Sequence, residues 1–258
     1  MYSDQDIIKA IEDWRNNRDT GLNIEDFDET KCLTPVGYDF RVGKEGFSWK
    51  KKCVVNIEKD GIIWIEPDDT VVIRTLESLT LSKEISATVH SMVSKIVTKG
   101  LSDISTTIDP GWLGTLLITI HNNRDTRAFL EFKATFCTVC FYKLDNASKV
   151  NRGTPANRDD LWERLLEIAR DEEKRIEDEK KKIELQRQQE SQKIDRENQK
   201  RTLILVISVI VLVLVIGIIF VEFSDKNVAM AVATCYSTFL AVIFPAVYDR
   251  FLKQIPKP

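Results

Sequence analysis

The side chains able to do chemistry are few and scattered. Five cysteines, Cys32, Cys53, Cys137, Cys140 and Cys235, are odd in number and without a regular framework. Cys137 and Cys140 form a C-x-x-C, but they lie in AFLEFKATFCTVCFYKL, whose β-branched and aromatic content reads as a strand. Residues three apart on a strand point to opposite faces, so these thiols are expected in the core rather than as a metal or redox pair. His90 and His121 stand alone, with no cysteine or carboxylate at ligand spacing, and are read as structural. Asp109 lies in an I-D-P-G-W segment, where an aspartate favours a turn.

The elements that must position these groups can be read from periodicity. An amphipathic helix is expected over Ser3 to Arg15, with Ser3 as its cap and Ile7, Ile8 and Ile11 as its apolar face. Short β-type runs follow to about Leu144: YDFRV, CVVNIE, GIIWIE, TVVIRTLESLTL, GTLLITI, AFLEF and CTVCFYKL. Gly, Pro, Asp and Asn separate them, which argues for a mainly β barrel or sandwich.

Residues 146–157 form a polar linker, and 158–201 form a helical stalk of alternating charge without Gly or Pro. At 1.5 Å per residue the stalk would be about 60 Å long. Trp162, Ala169, Ile176 and Ile183 recur at heptad spacing. The companion positions are mostly charged, so a solvated single helix and a loose coiled coil both remain open.

The 258-residue chain, with a net charge of -3 and 30% charged residues, averages like a soluble protein, but its C-terminal part does not. Residues 202–222 contain LILVISVIVLVLVIGIIFV without a charge, enough to cross a hydrocarbon core. A second apolar stretch occupies 228–248 after the polar turn 222–227. The N-terminus lacks the regions of a secretory signal. Basic residues flank the outer ends of the pair, at Lys193, Arg196, Lys200 and Arg201 and at Arg250, Lys253 and Lys257. Both termini are therefore expected in the cytoplasm, in a multi-pass protein of the inner or plasma membrane. Ala229, Ala233, Ser237 and Ala241 make a small-residue face on the second span that suits close helix packing, within one hairpin or between subunits. Neither apolar run, Leu203 to Val221 or Val228 to Val247, contains Asp, Glu, Lys, Arg or His, which argues against a pump or transporter.

Two segments carry a family signature. SDQDIIKAIE with NIEDFDETKCLTPVGYDFRVG, and VSKIVTKGLSDISTTIDPGWLGTLLITIHN, resemble the dCTP deaminase/trimeric dUTPase superfamily over about residues 3–145. The matching features are a P-x-x-Y-D-x-R-x-G strand, an S-x-x-x-x-x-G-L segment and an I-D-P-G-W-x-G strand. The resemblance implies a distorted β-barrel of the dUTPase-like type with an N-terminal helix over 1–145. It also implies a homotrimer with nucleotide sites at subunit boundaries, and no nucleic-acid partner. Deaminases of the family use no metal; a carboxylate shuttles protons for the water that attacks cytosine.

Aligned on I-D-P-G-W, the family glutamate falls on Thr119, whose hydroxyl cannot act as that base. Aligned on Gly100 and Leu101, the family's Ser, second Ser and Arg fall on Ser94, Lys95 and Thr98. Asp109 occupies the place of the water-activating aspartate of dUTPases, the one reading under which Mg²⁺ would be a cofactor. Ser94, Lys95, Thr98, Asp109, Trp112 and Thr119 are thus the expected nucleotide-binding positions, with Asp109 the one catalytic candidate. Arg41, in the YDFRVG strand, is expected to be an ion-pair partner within the fold.

Three functions are compatible with this pattern. A catalytically degenerate nucleotide sensor is the leading expectation, because it explains both Thr119 and the two membrane spans; its layout resembles that of prokaryotic antiviral membrane effectors. The alternatives are a membrane-tethered active dCTP deaminase or dUTPase, and an anchor without a ligand.

Overall fold

The computed structural model describes residues 1–150, 153 and 155–223, and beyond them 234, 237, 238 and 241. Helix α1 (Asp4–Asn16) begins at a capping box in which Ser3 accepts from the Asp6 amide and the Asp6 carboxylate accepts from the Ser3 amide, so both orphan donors are satisfied. It buries Ile7, Ala10 and Ile11 against the barrel, while Ile8 is only half-buried.

The strands are β1 (Leu22–Ile24), β2 (Leu33–Thr34), β3 (Gly37–Ser48), β4 (Cys53–Asn56), β5 (Ile62–Ile65) and β6 (Thr70–Leu81). They continue with β7 (Ile85–Ser91), β8 (Leu101–Asp103), β9 (Thr107–Ile108), β10 (Leu113–Asn122), β11 (Ala128–Glu131) and β12 (Thr135–Lys143). Single helical turns α2 (Glu29–Cys32) and α3 (Ile57–Asp60) interrupt them, capped by Asp28 and Asn56. All seven β-type runs of the sequence are strands or parts of strands. The end of CVVNIE departs, because the Asn56 side chain accepts from the Lys59 amide and starts α3 at Ile57.

The main path runs β8-β10-β6-β3-β12-β7-β9, with β11 and β5 forming a separate pair. β8 and β9 lie at opposite ends of that path yet are joined by residues 104–106 alone, so the chain itself closes the half-barrel. The Ile104 amide donates to the Thr119 carbonyl on one side of the seam, and the Val89 amide donates to the Thr106 carbonyl on the other.

Inside are Tyr38, Phe40, Phe136 and Phe141 with a shell of Ile, Leu and Val. Cys137 belongs to this core, whereas Cys140 points to the opposite side of β12, towards Gly37. Burial pushes both thiols above their ordinary pKa. Glu77 is also fully buried and meets Arg41, whose backbone amide and side-chain Nε both donate to it; the Arg41 guanidinium also donates to the Asp26 carbonyl. Arg41 is thus the ion-pair partner expected within the fold.

Helix α4 (Asp159–Phe223) is continuous. Its first turns, to Asp178, belong to the barrel's compact unit. Trp162, Leu165 and Ala169 pack there on Phe47 and Val72, with Val54 and Leu117 alongside. The heptad-spaced Trp162 and Ala169 therefore pack on the barrel, while Ile176 and Ile183 are exposed.

In the second unit, α4 carries an apolar segment whose mean hydropathy reaches 3.4, almost none of it buried. By length and composition it suffices to cross a membrane. The expected second span, 228–248, falls largely outside the described residues, including Ala229 and Ala233. Ser237 and Ala241 are helical and exposed, and Ser237 Oγ donates to the Thr234 carbonyl.

Candidate functional site

Strand β10 organises the candidate residues. It starts from a tight turn in which the Trp112 amide donates to the Asp109 carbonyl at 3.2 Å, with Gly111 at φ +81°. Proline second and a left-handed glycine third are what a type II turn requires, which explains the D-P-G-W order. The Trp112 indole then donates to the Gly114 carbonyl at 2.9 Å, fixing the ring over the turn. Asp109 and Trp112 line a cavity of about 440 Å³ together with Thr106, Thr107, Arg158 and Asp160.

Beyond Gly114 the strand alternates strictly. Leu116, Ile118 and Ile120 enter the core, while Thr115, Leu117, Thr119 and His121 share the outer face. A bulge between Thr115 and Leu117 frees the Leu116 amide, and Thr75 Oγ1 accepts it at 2.9 Å. Thr119 sits opposite Val72, and its neighbour His121 hydrogen-bonds Thr70 at 3.0 Å.

Ser94, Lys95 and Thr98 lie in the β7–β8 connection, which is a turn followed by one 3₁₀ turn, Val97–Lys99, and not a longer helix. All three are exposed; Thr98 Oγ1 caps the Ser94 carbonyl at 2.8 Å. Gly100, at φ +68°, ends the 3₁₀ turn and leads into β8, whose Ser102 pairs with His121. Lys99 is committed inside the fold, its ammonium donating to the Phe129 carbonyl and lying 4.8 Å above that ring.

One protomer therefore does not gather its six candidate positions. Asp109 and Trp112 stand at the start of β10, and Ser94, Lys95 and Thr98 connect to its far end. From Trp112 to Thr119 is seven residues, or roughly 23 Å along an extended strand. Among the described residues no group of three or more His, Cys, Asp or Glu comes together.

The structure adds residues that periodicity did not single out. Arg74, on the outer face of β6 opposite Leu117, donates to Asp159 at 2.8 Å and lies 4.6 Å from the Trp162 ring. Asn157, in a left-handed conformation, accepts from the Thr115 amide at 2.9 Å. A Cβ on Gly114 would come within 2.3 Å of Asn157, so only glycine fits there. Lys52 reaches Glu172 at 3.4 Å. Together these contacts dock the root of α4 on the sheet face that carries Thr119.

The docking combines favourable and unfavourable contacts. Burying Trp162 contributes about 1.5–3 kcal/mol and its cation–π contact about 0.5–2 kcal/mol. The Arg74–Asp159 pair is worth about 1 kcal/mol or less, since Asp159 is half-exposed. Against this, Arg74 Nε and Thr115 Oγ1 are enclosed without a partner. Such groups cost roughly 1–3 kcal/mol each. Both residues line a cavity of about 650 Å³ with Lys44, Asn56, Ser78 and Asn157. The one sequence signal for this arrangement was Trp162, whose heptad spacing pointed elsewhere.

Comparison with known proteins matches residues 1–144 to the family described as dCTP deaminase-like. The dCTP deaminase of Pyrococcus abyssi is 30% identical over 139 residues, 54% of this chain and 86% of that protein. That of Thermococcus sibiricus is 33% identical over 126 residues, 49% of this chain and 78% of the relative. Among solved structures, the dUTPase from phage phi11 of S. aureus aligns at a TM-score of 0.36 and 14% identity, over 50% of this chain and 94% of that one.

Proposed function

Because this chain belongs to the dCTP deaminase-like family through residues 1–144, we propose that it is a membrane-anchored nucleotide sensor whose barrel binds a nucleotide without deaminating it. Thr119 carries this reading. It stands on the outer face of β10 at the position where the family resemblance places the proton-shuttling glutamate, and across the ladder it meets Val72. A hydroxyl does not titrate near neutrality, and loss of a general base commonly removes a factor of about 10²–10⁴ in rate.

The sensor acts as a homotrimer in this proposal, since the candidate positions at the two ends of β10 need neighbouring copies to meet in one pocket. Its output is the membrane module of two helices, residues 202–222 and 228–248, with both termini in the cytoplasm. Support comes from the largely exposed apolar segment of α4 and from the basic residues ahead of it. A response to infection is one setting in which such a module would be used.

The test is incubation of the full chain in lipid nanodiscs with dCTP and dUTP, following products by chromatography and binding by thermal shift. A shift without conversion is expected. Formation of dUTP from dCTP would establish an active deaminase, and dUMP from dUTP an active dUTPase. Absence of any shift would leave only an anchor.

A further inference from the structure

The root of α4 and the candidate ligand position use one surface. Thr119 lies opposite Val72 on the β6–β10 ladder and two residues from Leu117 on its own strand. Val72 and Leu117 are both covered by α4, in the cluster with Trp162, Leu165 and Ala169. Cross-strand neighbours have Cβ atoms about 5 Å apart, and i,i+2 positions on a strand are about 7 Å apart. A base and sugar laid over Thr119 would therefore overlap the ground held by the helix root.

Building on the sensor reading, we propose that nucleotide bound at the Thr119 face and the α4 root compete, so that the docked root is the ligand-free arrangement and binding undocks residues 159–172. The root is held by the small apolar cluster of Trp162, Leu165 and Ala169 on Phe47 and Val72, and by a few polar contacts: Arg74 to Asp159 and Trp162, Asn157 to the Thr115 amide, and Lys52 to Glu172. Undocking returns water to Arg74 Nε and Thr115 Oγ1, which lack partners while the root is seated. The helix so released is the one whose continuation holds the apolar segment. A ligand shifts this equilibrium only by its preference for the undocked state, and steric overlap supplies that preference.

Hydrogen exchange and dCTP titration of the full chain in nanodiscs test the competition, with Asp159→Asn and Trp162→Ala as loosened variants. In the wild type, exchange of amides 160–172 should rise on adding dCTP while β6 and β10 stay protected. Both variants should bind dCTP about 5-fold or more tightly than the wild type, the lower end of usual coupling free energies. Equal affinity in all three proteins, or a root protected by dCTP, would overturn the competition and leave the nucleotide reading standing. Binding of dCTP by none of them would overturn both.

Discussion

Replacing Arg41 by methionine isolates the one carboxylate that the barrel fully buries beside a cation. Glu77 has no exposed surface, and it accepts from the Arg41 backbone amide at 2.8 Å and from its guanidinium. Arg41→Met keeps the backbone contact and the aliphatic bulk but strips the charge. Breaking a buried pair from one side costs about 3–5 kcal/mol. In a domain of this size each kcal/mol is about 2–4 °C, so the midpoint of thermal unfolding should fall by roughly 6–20 °C.

The loss also depends on pH. Burial already raises Glu77 above its ordinary value of 4.5, against the hydrogen bonds from Arg41. Folding thus favours the protonated form. The contribution is complete below the unfolded value and is lost as pH rises through the folded one. Without the guanidinium the folded value climbs further, so Arg41→Met should regain stability on going from pH 7 towards 5. Glu77→Gln in the same background should restore much of the loss at pH 7 and abolish that recovery. Thermal melts of the wild type and the two variants in nanodiscs give the answer. A loss under about 1 kcal/mol, or identical pH profiles for the single and double variants, would refute the assignment of the cost to an uncompensated buried charge.

Gly114→Ala should lower the melting midpoint and raise hydrogen exchange around residues 156–160, because its Cβ would press on Asn157 and the backbone there is at φ +117°; unchanged exchange would mean that Asn157 does not hold the helix root. For the topology, a cysteine placed at Ser224 should label from outside the cell and one at Ser191 should not, as read with an impermeant maleimide. The reverse pattern would reject the cytoplasmic placement of both termini.

The barrel was legible because its signals are local. The Ser3 cap, the alternation of TVVIRTLESLTL and the D-P-G-W turn each specify a conformation within a few residues. β7 (ISATVHS) was not among the runs picked out, because Ser, Thr and His dilute its apolar alternation, and β1, β2, β8 and β9 have only two or three residues. At the site, Thr119 came from the resemblance, aligned on I-D-P-G-W, and its place on the outer face came with the folded strand. Its cover had no such signal: Phe47, Val72, Arg74 and Trp162 meet only after folding, and no spacing in the chain relates them. Trp162 and Ala169 even suggested a different partner, since a helix packing on a sheet and a helix packing on a helix call for similar apolar stripes.

The join between β8 and β9 sets a mechanical limit. From Asp103 to Thr107 is four residue steps, and fully extended chain spans at most about 3.6 Å per residue, so the ends of the sheet path cannot part by more than about 14 Å without breaking the covalent chain. The half-barrel is therefore hooped. It can tilt or turn as one body, but it cannot unroll, and any movement it passes on must be carried by elements seated on its outside.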